Sequence, residues 1–149
     1  MNFFSATTAQ FVALVDDDAH SARLITRLLV AHGSPEVHWL ETAESAAAEI
    51  SKALADPSAA MPELVVVDLK ASSQATREFI LGLRKLEGTA DLIVVAMAPD
   101  LDKDIRDELI DAGADAVFQR HADLDTFRRE IAGIVSFWVR NQRLHAIGT

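Results

Sequence analysis

The sequence contains no cysteine. That excludes a disulfide framework, a zinc ribbon and any thiol chemistry. Positive charge is also scarce, with 14 Lys and Arg against 23 Asp and Glu and a formal net charge of −9. A phosphate-backbone binder needs a basic surface, so no nucleic-acid partner is expected. No apolar run approaches the roughly 20 residues of a membrane-spanning helix, and no membrane partner is expected either. The opening residues MNFFSATTAQ lack a basic segment followed by a long apolar stretch. A secretory leader is therefore not expected, and a cytoplasmic location is. Half of the 149 residues are apolar, enough to bury a core, and the length suits one domain.

What is present centres on the stretch from Glu63 to Ser73, ELVVVDLKASS. Leu64 to Val67 is wholly apolar and rich in β-branched residues, the pattern of a parallel strand buried on both faces. It ends on Asp68. An unpaired carboxylate is costly to bury, so this charge belongs at the C-terminal edge of a sheet, where open α/β sheets place their sites. Residues 1–10 read as a loose arm and 11–145 as one domain. Phe11 to Val15 is a first strand, followed by Asp16, Asp17 and Asp18 and a helix carrying Leu24, Ile25, Leu28 and Leu29 at helical spacing. Gly33 and Pro35 end that helix. Glu36 to Leu40 is an edge strand, and Thr42 caps the helix after it. A third helix carries Phe79, Ile80, Leu83 and Leu86. Leu92 to Met97 is a fourth strand. A fourth helix, capped at Asp100 or Asp102, turns Ile105, Leu109 and Ile110 inward. Ala116 to Phe118 is a fifth strand, and the last helix covers about 124–143. Alternation of strands and helices predicts an α/β fold: a five-stranded parallel sheet with helices on both faces.

In a doubly wound sheet of order 2-1-3-4-5, the first and third strands are neighbours, so Asp16 and Asp17 converge on Asp68. Several carboxylates at such close range repel one another unless a cation joins them. A hard divalent ion with oxygen ligands, Mg²⁺ above all, would relieve the repulsion. A carboxylate beside such an ion can act as a nucleophile toward phosphorus.

The segments VALVDDDAHSARLITRLL, ELVVVDL, IVVAMAPD and DAGADAVFQR resemble the receiver domain of bacterial two-component response regulators over about residues 11–140. The resemblance implies the flavodoxin-like receiver fold. It implies Asp68 as phosphoacceptor, taking a phosphoryl group from a histidine kinase or a phosphotransfer protein. It implies Mg²⁺ held by Asp16, Asp17, Asp68 and the backbone carbonyl of Lys70. Departures are concentrated in the readout half. The switch Ser/Thr of the family falls on Ala98, its lysine on Arg120, and its switch aromatic on Val117. The loop that usually reads Met-Pro-x-x-x-Gly has Ala71-Ser72 and then Thr76 at the glycine position. Arg120 is expected to contact the phosphate, with a planar fork where the family has an ammonium. Output is expected by protein–protein contact. The alternative is a phosphorylation-independent pseudo-receiver that dimerises or binds a partner. No enzyme activity is expected beyond Mg²⁺-dependent self-phosphorylation and self-dephosphorylation.

Other patterns carry less. Asp100 to Asp104 imitates an EF-hand loop, but Ile105 stands where glycine is needed and Asp111 where glutamate is. A haloacid-dehalogenase phosphatase would have an aspartate where this chain has Lys70. The histidines are scattered; His121 is of interest because it follows Arg120. The last helix has a core stripe of Phe127, Ile131, Ile134, Val135 and Trp138, and apolar residues off that stripe. Among these, Phe137, Val139 and Leu144 are a candidate homodimer or partner interface.

Overall fold

A computed structural model describes residues 10–148, with side chains in the last helix described as far as Gln142. Of the expected N-terminal arm, only Gln10 falls within the described residues; its side-chain amide donates to Glu63 at 2.7 Å. Five strands alternate with five helices: β1 (Phe11–Asp16), α1 (Ala19–Ala31), β2 (Glu36–Leu40), α2 (Ala43–Ala55), β3 (Leu64–Asp68), α3 (Ala75–Arg84), β4 (Val94–Ala98), α4 (Lys103–Ala112), β5 (Ala116–Gln119) and α5 (Leu124–Gly148). The sheet is wholly parallel in the order β2-β1-β3-β4-β5.

Period-2 alternation divides the strands between two cores. Ala13, Val15, Val65, Val67, Val94 and Ala96 face α2, α3 and α4, where they meet Ile50, Ile80, Leu83 and Leu109. Val12, Leu14, Leu64, Val66, Val95 and Met97 face α1 and α5, where they meet Ile25, Leu29, Ile131 and Ile134. Because β3 lies in the middle, every residue from Leu64 to Asp68 is buried.

The starts of α1, α2 and α4 follow their capping residues. The Asp18 carboxylate accepts the His20 amide at 3.0 Å and starts α1. Thr42 and Ser45 cap each other reciprocally and start α2. Of the two acids expected to open the fourth helix, Asp102 is the cap, so α4 begins at Lys103. Strand β4 runs from Val94 to Ala98, later than its apolar run suggests, and α5 extends past the expected end near 143. Ile110, expected inward, is 38% exposed; Leu109 and Ala112 form the buried side of α4.

At the sheet edge remote from Asp68, Arg84 ties α3 to the strands. Its guanidinium donates to the carbonyls of Gly113 (3.0 Å), Thr89 and Leu92 (3.0 Å), and to the Asp115 carboxylate at 3.1 Å. Gly113 has φ +126°, and a Cβ there would lie 2.5 Å from Arg84 Cγ. Glycine is thus required both by the backbone and by the arginine stem. Arg84→Ala strips these carbonyls of a charged donor. It is expected to cost about 2–3 kcal/mol, with Arg84→Lys recovering only part. Urea unfolding checks this; a loss of less than about 0.5 kcal/mol would contradict the assigned role.

Candidate functional site: a closed ion cluster at the C-terminal edge

Asp16 and Asp68 are register partners, each the last residue of its strand, and both are 0% exposed. Each reaches this edge because the apolar run before it is fixed in the core. The two carboxylates meet two cations. Lys70, two residues beyond β3, curls back so that its Nζ lies 2.7 Å from Asp16 Oδ1, 3.0 Å from Asp68 Oδ2 and 3.1 Å from the Asp68 carbonyl. Arg120, just past β5, places Nη1 2.8 Å from Asp68 Oδ1. The Arg120 amide donates to the Ala98 carbonyl at 2.8 Å, which fixes the arginine to the end of β4.

Asp16 also takes two further donors. Its Oδ1 accepts the Asp18 amide at 2.9 Å, and its Oδ2 accepts the Ser21 hydroxyl at 2.8 Å. That hydroxyl also lies 3.5 Å from Asp68 Oδ2. The Trp39 ring N–H donates to the Asp16 carbonyl at 2.7 Å. Burial pushes the Asp68 carboxyl above the ordinary carboxylate value, with neighbouring Asp16 adding to the rise, while Lys70 and Arg120 pull it down.

The structure brings together Asp16, Asp68, Lys70 and Arg120. Asp17 stands apart from them. It is exposed, and its carboxylate accepts the Lys70 amide at 3.0 and 3.1 Å and the Ala71 amide at 2.9 Å. Lys70, expected to contribute its carbonyl, contributes its ammonium. Ala98 closes β4 and is 2% exposed; Val117 is 8% exposed and packs in the core facing α2, α3 and α4. His121 is turned to Glu130 at 3.4 Å, and Glu130 also accepts the Gln119 amide at 2.8 Å. Phe137 packs edge-on against Phe118, ring centroids 6.3 Å apart, and Val139 is half-buried on the same core. Both therefore help seat α5 on the sheet. The Leu144 side chain lies outside the described residues.

The divalent-ion set expected from the sequence is not assembled. Mg²⁺ requires near-octahedral oxygen ligands at about 2.0–2.1 Å. Among the described residues, no group of three or more His, Asp and Glu side chains is arranged to hold an ion. An ammonium lies between the two buried carboxylates, and Asp17 is held by backbone amides. The residues as arranged do not fit the metal.

Three other contributors were not anticipated. Ser21 lies in the first turn of α1, so a hydroxyl following an acidic cluster and a helix cap was a readable signal. The Lys70 ammonium was within reach of its own strand end, a matter of stem length. Thr76 gave no signal beyond being a departure from the resemblance. Its buried hydroxyl accepts the Leu69 amide at 3.0 Å and closes the loop that carries Lys70.

No protein-family model matches the sequence, and no curated protein matches it. Solved structures do. The Mn²⁺-bound form of response regulator Rcp1 is 19% identical, with a TM-score of 0.71 over 86% of this chain and 93% of that one. The phosphorylated cyanobacterial phytochrome response regulator RcpA is 22% identical, with a TM-score of 0.73 over 87% and 93%. Response regulator RPA3017, in red light signaling of R. palustris, is 18% identical, with a TM-score of 0.71 over 89% and 95%. The chain has the fold of response-regulator receiver domains.

Removing Lys70 leaves two buried carboxylates with Arg120 as their one close cation among the described residues. Lys70→Met is expected to lower stability by about 2 kcal/mol, less than for a fully buried pair because the lysine side chain is 26% exposed. Adding Asp16→Asn removes one of the repelling charges and should recover part of that loss. Chemical denaturation of the two variants checks the coupling, and strict additivity of the substitutions would refute it.

Proposed function

We propose that the chain is a receiver module of two-component signalling. Asp68 accepts a phosphoryl group from a histidine kinase or a phosphotransfer protein, and the signal leaves by protein–protein contact. The observation that carries this reading is the position of Asp68: the last residue of the central strand, with a cation on each carboxylate oxygen. In the transfer, an Asp68 oxygen forms the new bond to phosphorus. The bond from phosphorus to the donor nitrogen breaks, and its electron pair stays with the donor imidazole. Negative charge on the phosphoryl oxygens is met by the Lys70 ammonium and the Arg120 guanidinium, already aimed at that place. No step in this reading runs through a divalent ion. Because Asp68 has no exposed surface, the donor reaches it only when Lys70 or Arg120 swings aside. Arg120 then links the site to the protein surface, since its amide is bound to the end of β4 and it enters the loop before α5.

A second reading is favoured by the closed cluster and by Ala98, which has no hydroxyl to offer a phosphoryl oxygen. In it, the cluster is structural, and the module binds a protein partner or a second copy of itself without phosphorylation.

Acetyl phosphate, supplied with Mg²⁺ and separately with a chelator, distinguishes the two. The first reading expects a mass increase of one phosphoryl group, abolished by Asp68→Asn. No adduct under either condition, while a standard receiver is modified alongside, overturns it. The second reading expects Asp68→Asn to leave oligomeric state and partner binding unchanged.

A further inference from the structure

We infer that the Lys70 ammonium is a built-in cation standing in place of a divalent metal ion, so that the acidic site is neutralised by the chain itself. The contacts of Nζ carry the inference. It touches both buried carboxylates, Asp16 at 2.7 Å and Asp68 at 3.0 Å, and also the Asp68 carbonyl at 3.1 Å. These are an oxygen from each of two strands and a main-chain oxygen, a donor set that a hard cation would also choose. An ammonium and a metal ion cannot share that space.

The charges balance without a metal. Two buried carboxylates, Asp16 and Asp68, face two cations, Lys70 and Arg120. A divalent ion is drawn to uncompensated negative charge, and here it is already compensated. Admitting the ion would require three changes at once. Lys70 would have to leave both carboxylates. Asp17 would have to give up the amides of Lys70 and Ala71. Asp16 Oδ1, which keeps the Asp18 amide on one lone pair, would have to turn the other from the ammonium to the ion. The loop bearing Lys70 is held at its start by the Thr76 hydroxyl, which bonds the Leu69 amide and carbonyl, so the lysine stem leaves from a fixed point.

This inference goes beyond the phosphoacceptor reading and does not depend on it: it holds or fails whether or not Asp68 is ever phosphorylated. Mn²⁺ titration of the whole chain, read by water-proton relaxation and by thermal unfolding, tests it without any phosphoryl donor. The wild type is expected to bind Mn²⁺ at least about ten-fold more weakly than Lys70→Met, and its Tm should not respond to the ion. Lys70→Arg, which keeps the charge, should behave like the wild type. In the Lys70→Met background, Asp16→Asn should abolish the gained binding. If Lys70→Met does not fold, Lys70→Gln replaces it as the neutral variant. Wild-type protein that takes up Mn²⁺ as tightly as the neutral variant overturns the inference. So does gained binding that survives Asp16→Asn, because the ion would then lie elsewhere.

Discussion

Asp16 and Asp68 stand opposite each other on adjacent parallel strands, and neither carboxylate touches solvent. Two ionised groups so placed lose their hydration and repel each other, so the fold is viable only with compensating charge close by. The surroundings of the site follow from that demand. Lys70 comes from the loop after β3, Arg120 from the end of β5, and Ser21 and the Asp18 amide from the start of α1. The segments that follow β1, β3 and β5 thus each give a donor to this pair. The strands in turn hold the acids there, because the residues before them are locked into two cores on opposite faces of the sheet.

A tethered ammonium differs from a diffusing ion in how it is lost. An ion leaves when its concentration falls. Lys70 leaves only when the backbone after β3 or its own stem rearranges, since its effective concentration at the site is set by the length of a single side chain. Charge balance at the cluster is therefore a property of loop conformation. Thr76 and Asp17 both act on that loop, the first by bonding Leu69 and the second by bonding the amides of Lys70 and Ala71.

Much of this architecture was legible in the sequence. Apolar runs mark the strands, and their alternation with helices sets a parallel sheet, while the observed strand order is the one the resemblance to receiver domains implies. The identity of the central acid was readable for the same reason: Val65 to Val67 can only be a buried strand, and Asp68 can only emerge at its end. Less legible was the direction of each polar side chain. Asp17 and Asp16 are adjacent, yet Asp16 ends the strand and turns into the cluster, while Asp17, in the bend just past it, turns toward the loop amides. The resemblance implies only the carbonyl of Lys70 at the site, because a pattern of residue types does not say which way a flexible four-carbon stem folds. Phe137 and Val139 looked surplus to the core face of α5. Phe118 widens that face, a pairing between elements that helical periodicity within α5 does not contain.

Trp39 gives the molecule a property unrelated to its packing. Its indole N–H is held on the carbonyl of Asp16, a member of the ion cluster. The other tryptophan, Trp138, is buried on the inner face of α5, and its ring nitrogen has no hydrogen-bond partner among the described residues. One chromophore is thus bonded to a residue of the cluster, and the other is buried in the core on the α1 and α5 side of the sheet. The chain carries its own optical reporter of the site together with an internal reference, and a rearrangement around Asp16 will be visible in its intrinsic fluorescence without any label.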